Sequence, residues 1–132
     1  MHIMRPEVIR IFRTFELDGK VTFHQLDENT WVLLPVESGS ALIVQDLGGS
    51  LRLRTGHEVV IDVDYEEESS REALPEIITA LQSGNAVEHF SMGPGRKLRS
   101  CGYRVDYPSG TDSSINGRAK SVSARLPRWN AR

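Results

Sequence analysis

The stretch that decides the fold runs from Glu58 to Phe90 and reads EVVIDVDYEEESSREALPEIITALQSGNAVEHF. It begins with a run of β-branched residues, continues through an acidic turn, and ends in a second apolar run that starts at Ala86. Between these runs, four apolar residues recur at the i, i+3, i+4, i+7 spacing of one helical face: Leu74, Ile77, Ile78 and Leu81. The pattern predicts a strand, a helix and a second strand, with the helix packed across a sheet.

Two signals conflict at the start of this helix. Ser69 followed by Glu72 matches a capping box, which favours a start near Ser69. Pro75 has no N–H to donate, and its ring clashes with the carbonyl four residues earlier when it lies inside a helix. We therefore expect a loose turn followed by a regular helix over 75–83, ended by Gly84 in the left-handed conformation.

A further helix is predicted near the N-terminus, over residues 5–17. It rests on four apolar residues with the same spacing: Val8, Ile11, Phe12 and Phe15. The many β-branched and aromatic residues of this segment also favour a strand, so that alternative stays open. From Val21 to Asp64, short apolar runs alternate with turn residues, and connections this short permit only antiparallel pairing.

Two more strands are expected after the central helix, Ala86–Phe90 and Leu98–Val105, with Gly102 weakening the second or marking a bulge. The predicted fold class is therefore α+β. It has two layers: an antiparallel meander of about five to seven strands with one helix packed across it, and an N-terminal helix.

Charge divides the chain of 132 residues into two parts. Residues 1–108 hold 11 Lys and Arg against 17 Asp and Glu, a balance of −6, whereas residues 109–132 hold five basic residues and one acid. The second part is also rich in Ser, Gly and Asn. We expect a single α+β domain over 1–108 and a basic, Ser/Gly/Arg-rich, flexible tail over 109–132.

The bulk composition excludes several classes of protein. The single cysteine, Cys101, excludes an internal disulfide and fits a reducing compartment. No apolar run approaches the roughly 18 residues that a membrane-spanning helix needs, and residues 1–10 lack the apolar core of a signal peptide. We expect a cytoplasmic protein that does not enter membranes.

The motif search predicts no metal, cofactor or catalytic residue. The histidines do not have the spacing of a helical zinc site, and no phosphate-binding loop or nucleophile elbow is present. An enzyme becomes the favoured reading only if His57 or His89 meets a carboxylate in a deep pocket.

An acidic cluster follows the first strand of the central stretch: Asp62, Asp64, Glu66, Glu67 and Glu68. It lacks the glycine and the twelfth-position glutamate of an EF-hand calcium loop. A solvated strand end that complements the positive end of the next helix is the simplest interpretation. The alternative is a surface for a basic partner.

Five residues of the C-terminal segment are candidates for contacts with nucleic acid: Arg118, Lys120, Arg125, Arg128 and Trp129. The cations would contact phosphates while the indole stacks on a base. The same residues also fit a solvated tail or one folded back on the acidic body.

The order of elements resembles that of small secretion-chaperone and immunity-type proteins at the level of fold. A likeness in fold does not determine function. The missing site chemistry and the charged, bipolar surface predict a non-enzymatic module that binds another protein, through its sheet or its acidic edge. Nucleic-acid binding through the tail and an enzyme of unrecognised type are the alternatives. An unpaired strand edge would also permit a homodimer.

Overall fold

The computed structural model describes residues 5–37, 39–92, 95, 98–115 and 121–127. Two helices and nine strands are assigned within this part of the chain, and confirm the α+β class. The helices are α1 (Arg5–Leu17) and α2 (Glu68–Ser83). The strands are β1 (Val21–Asp27), β2 (Thr30–Pro35), β3 (Leu42–Asp46), β4 (Ser50–Thr55), β5 (Val59–Asp64), β6 (Ala86–Met92), β7 (Leu98–Tyr107), β8 (Gly110–Ile115) and β9 (Ser121–Arg125).

The described strands form two antiparallel sheets rather than one. Strands β1 to β5 make sheet A as a simple meander in chain order. Strands β6 to β9 make sheet B in the order β8-β7-β6-β9. The meander was predicted because its connections are short. The division into two sheets was not predicted. The connection from β5 to β6 contains α2, and a connection of that length does not indicate whether the next strand joins the same sheet.

Helix α1 packs on one face of sheet A, which we call the inner face. Phe12 is fully buried, and its ring lies 5.7 Å from the ring of Phe23 and 6.2 Å from that of Trp31. Inner-face residues of all five strands join α1 and α2 in one hydrophobic cluster. The helical interpretation of residues 5–17 is therefore confirmed, because the 3.6-residue period of the apolar side chains matches the buried face.

The start of α2 differs from the prediction. The helix begins at Glu68 rather than at residue 75 and continues through Pro75, and its N-cap residue, Glu67, makes no side-chain capping hydrogen bond. Its first turns are held by tertiary contacts: Leu74 is fully buried, and the Arg71 guanidinium donates to the backbone carbonyls of Tyr65 and Glu66 at 3.1 and 3.2 Å. These contacts outweigh the hydrogen bond that proline removes.

The end of α2 matches the prediction. Gly84 adopts φ +78°, and its N–H turns back toward carbonyls of the last helical turn. Asn85 also donates to the Ala80 carbonyl at 2.8 Å. A left-handed residue here releases the chain into β6, and glycine adopts this conformation without steric cost.

Strands β8 and β9 correct the interpretation of residues 109–132 as a flexible tail. Residues 110–115 pair with β7, and residues 121–125 pair with β6. Leu126 follows β9 and is buried in the shared core. This part of the C-terminal segment therefore belongs to the folded unit. The hydrophobic pattern does not predict β8 and β9, because these Ser-rich strands carry few apolar side chains.

A β-bulge in β7 fulfils the expectation at Gly102. His89 of β6 faces Gly102 and Phe90 faces Ser100, so Cys101 is the extra residue. An extra residue reverses the alternation of side chains beyond it. Arg99 and Arg104 therefore lie on the same face of sheet B, although they are five positions apart in the chain.

Candidate functional site

The face of sheet A that points away from both helices is open to solvent. Cross-strand pairing aligns one residue from each strand in a row across this outer face: His24, Val32, Ile43, Arg54 and Val60. Val32 is buried among its neighbours, whereas Ile43 remains 38% exposed. We call these five residues the outer row.

Leu34 extends the apolar part of this face. It lies on β2 opposite Thr22 and is 42% exposed. A sheet with one solvated face normally alternates apolar residues inward with polar residues outward. Leu34 and Ile43 break that alternation on neighbouring strands, so their exposed apolar surface is concentrated on one face rather than scattered singly.

The acidic cluster predicted from the sequence begins on the same outer face. Arg52 donates to both carboxylate oxygens of Asp62, at 2.9 and 3.2 Å. These hydrogen bonds lower the pKa of Asp62. Asp64 lies two residues further along β5, and its carboxylate accepts the Glu66 N–H at 3.0 Å.

The remaining acids lie where β5 turns into α2. Glu66, Glu67 and Glu68 are exposed, and Glu67 lies 3.5 Å from the Ser70 hydroxyl that donates to it. Within the described residues, no group of three or more acidic, histidine or cysteine side chains is arranged to hold a metal ion. The cluster is thus a charged rim at one end of the outer face.

A groove lies at the opposite end of the outer face, beside the turn between β4 and β5. Its volume is about 710 Å³, within the roughly 300–1,000 Å³ typical of small-ligand pockets. Ile43 and Val60 form apolar walls, and Arg54, His57 and Glu58 supply charged or titratable groups. The groove therefore adds depth to an otherwise flat surface.

The two histidines singled out from the sequence do not meet a carboxylate through their rings in the described contacts. The His57 ring packs edge-on against Phe90, with 5.2 Å between ring centroids. The His89 Nδ1 atom lies 2.7 Å from the Ser123 hydroxyl. In the described contacts, each ring therefore meets a neutral side chain.

A buried carboxylate, Glu88, was missed by the sequence analysis. It is 1% exposed and accepts the backbone N–H groups of His57 and Glu58 at 2.9 and 2.7 Å, together with the Ser100 hydroxyl. Three donors therefore surround one acidic side chain and tie β6 to the turn between β4 and β5. The alternation in β6 places Glu88 on the face of Ala86, which was the available signal.

Gly56 makes this approach possible. It has φ +62°, and a Cβ added to it would lie 2.7 Å from the Glu88 Oε1 atom and 3.0 Å from Leu126. Position 56 therefore requires glycine for two reasons: the positive φ, and the lack of space for a side chain.

Hydrogen bonds also protect both edges of sheet A. The Phe23 N–H of β1 donates to Glu16 at 2.9 Å, and the Tyr103 hydroxyl lies 2.8 Å from the Val60 carbonyl of β5. Such contacts reduce the tendency of an edge strand to pair with another chain. The homodimer predicted from an unpaired edge stays a prediction.

Of the five C-terminal candidates for nucleic-acid contact, Arg125 lies in β9 and is exposed. The other four lie outside the described residues: Arg118, Lys120, Arg128 and Trp129. Arg125 faces the same side of sheet B as Arg104, because both are paired with Val87.

Comparison with protein families, curated proteins and solved structures finds no match to this chain. In the described part of the chain, neither helix combines the length and apolar character needed to cross a membrane.

Proposed function

We propose that this protein is a non-enzymatic module that binds another protein on the outer face of sheet A. The observation that carries the proposal is the burial of the inner face in one core shared with both helices and sheet B. That burial leaves a five-stranded sheet with Leu34 and Ile43 exposed on its solvent side. Exposed apolar surface with a polar rim is typical of protein interaction sites.

The acidic residues around this face indicate that the partner carries basic side chains. The rim carries Asp64, Glu66, Glu67 and Glu68, whose carboxylates have no cationic partner within the described residues. A partner segment with apolar side chains next to lysine or arginine would match the exposed Leu34 and Ile43 and the acidic rim together. Such a match would steer association and fix its orientation.

The size of the face sets the expected strength of binding. Five strands spaced about 4.8 Å apart and about 20 Å long give a face of roughly 400–500 Å². Stable interfaces bury about 800 Å² on each partner, whereas transient ones bury less than about 600 Å². We therefore expect reversible binding, suited to a partner that is held and released.

A photo-crosslinking amino acid at position 43 tests the proposal in cells, with the same amino acid at Glu72 as the control. Glu72 is exposed on α2, away from the outer face. We expect one dominant crosslinked protein at position 43 and none at position 72, identified by mass spectrometry. Equal crosslinking at both positions would contradict the assignment of the outer face.

Direct binding to the purified partner then measures the contribution of Ile43. Ile43→Lys should weaken binding about 10- to 100-fold, since burying an isoleucine contributes roughly 1.5–3 kcal/mol. Thr79→Lys, at an exposed position of α2, should leave the affinity unchanged. Unaltered affinity in Ile43→Lys would place the partner on another surface.

A further inference from the structure

The solvent face of sheet B carries a second charged surface, which is basic. Arg99, Arg104 and Arg125 are exposed, and the pairing of the strands places all three on this face. The bulge at Cys101 is responsible for part of this arrangement, because without the extra residue Arg99 would point toward the core. We call Arg99, Arg104 and Arg125 the arginine face.

Two of these arginines flank a small depression. Its volume is about 130 Å³, and its lining includes Asn85, Val87, Arg104, Asp106 and Arg125. Strands β7 and β9 lie on either side of β6, so the two arginine backbones are about 10 Å apart. Their side chains are long enough to reach one phosphate group between them.

Asp106 orients Arg104 without using all of its donors. The carboxylate contacts the Arg104 Nε atom at 3.1 and 3.2 Å and also accepts the Thr111 hydroxyl at 2.8 Å. No described residue accepts a hydrogen bond from the terminal guanidinium nitrogens of Arg104. A guanidinium offers five N–H donors in a planar fork, so four remain for an anion.

Hydroxyl groups lie among the arginines on the same face. Ser123 is exposed beside His89, and Ser113 is exposed opposite Arg104. Arginine and serine are common donors to phosphate oxygens in complexes with nucleic acids, and such contacts carry no base information. Among the described residues of this face, the His89 imidazole is the one ring on which a base could stack.

We infer that the arginine face of sheet B binds the phosphate backbone of nucleic acid, without sequence preference, and seats one phosphate between Arg104 and Arg125. This surface is separate from the outer face of sheet A, so its role is independent of the proposed protein partner. It replaces the predicted flexible tail with a folded surface. Removing residues 109–132 would delete two strands, so point substitutions are the informative test.

The test uses the full chain and a fluorescein-labelled duplex DNA of 20 base pairs, with a 20-nucleotide single strand in parallel. Three phosphate contacts predict a slope of about −2.7 in a plot of log affinity against log salt, or about 40-fold weaker binding from 50 to 200 mM salt. Arg125→Gln should reduce duplex affinity about tenfold at 50 mM salt and lower the slope by about one.

Arg10→Gln is the matched control, because Arg10 is an exposed arginine on α1. It makes the same change in net charge and should leave affinity and slope near those of the unaltered protein. Equal losses in the two variants, or no binding at 50 mM salt, would overturn the inference. So would binding to phosphatidylserine vesicles without binding to either nucleic acid. Circular dichroism of each variant confirms that the fold is retained.

Discussion

Replacing Glu88 by glutamine should destabilise the protein far more than any comparable change of an exposed glutamate. The side chain is 1% exposed and accepts from three donors, two backbone N–H groups and the Ser100 hydroxyl. Glutamine has nearly the same shape, but one of its two terminal groups is itself a donor. One backbone N–H of the turn between β4 and β5 would then face an N–H₂ group in a buried position.

The expected cost follows from the hydrogen bonds that change. Losing one hydrogen bond to a charged group and leaving a buried donor unpaired costs about 2–3 kcal/mol. Glu88→Ala removes all three acceptor contacts and opens a cavity, so its cost should reach about 3–5 kcal/mol. For a domain whose stability is about 5–15 kcal/mol, either loss is a large fraction of the total.

Urea unfolding at pH 7, followed by circular dichroism, measures both free energies. Glu28→Gln is the matched control: Glu28 is exposed in the turn between β1 and β2, and its substitution should change stability by less than about 0.5 kcal/mol. If Glu88→Gln were as stable as Glu28→Gln, with the same dependence on urea, the reasoning about the buried carboxylate would be refuted.

Three further predictions concern the same framework. Gly56→Ala should cost at least about 2 kcal/mol more than Gly19→Ala in urea unfolding, because both have positive φ but an added Cβ meets no atom within 4 Å at Gly19; equal costs would exclude the steric clash. Burial and the hydrogen bond with Asp112 raise the pKa of Tyr103, so stability should fall as the pH rises above about 10, and Tyr103→Phe should reduce that fall, as measured by unfolding at pH 8 to 11. A hydrogen bond from the β1 edge lowers the pKa of Glu16, so the advantage of the native chain over Glu16→Gln should be full above about pH 5 and shrink as the pH falls below about 4; an advantage that grows in acid would contradict this.

Local sequence patterns predict the elements that are marked by a regular spacing of apolar residues or by a residue with a special backbone conformation. The spacing of Val8, Phe12 and Phe15 predicts α1, because the buried stripe of a helix repeats at its own period. Gly84 marks the end of α2, because the left-handed conformation there excludes most other residues. Gly102 lies next to the bulge, and a glycine inside a strand is a common sequence sign of one.

The features that sequence patterns miss depend on specific contacts, most of them with partners distant in the chain. The start of α2 rests on the burial of Leu74 and on Arg71, and neither contact is visible in a rule about caps or proline. Strands β8 and β9 gain their pairing from β7 and β6, so their own composition need not be apolar. In the sequence, Glu88 resembles an exposed strand residue. Its burial depends on the turn over residues 56–58, whose backbone N–H groups donate to it.

For the acidic cluster, the sequence predicts exposure but not the surface to which the cluster belongs. The five residues 62, 64, 66, 67 and 68 are exposed, as a solvated strand end requires. Their relation to Leu34 and Ile43 could not be predicted, because it depends on which face of sheet A the helices cover. Charge alone therefore indicated a surface, and the register of the sheet supplied its apolar centre.

The turn between β4 and β5 connects the groove on the outer face of sheet A to the buried side of sheet B. His57 and Glu58 line the groove on the outer face of sheet A, while their backbone N–H groups are held by Glu88 of sheet B. A displacement of β6 would therefore move one wall of the groove relative to Ile43, which lies on a different strand. Because the hydrogen bonds to Glu88 are short and buried, that displacement is opposed by the full cost of leaving their donors unpaired. The groove is consequently held in shape by residues that a partner on the outer face never touches, and a substitution at Glu88 should weaken protein binding beyond what its effect on the folded fraction explains.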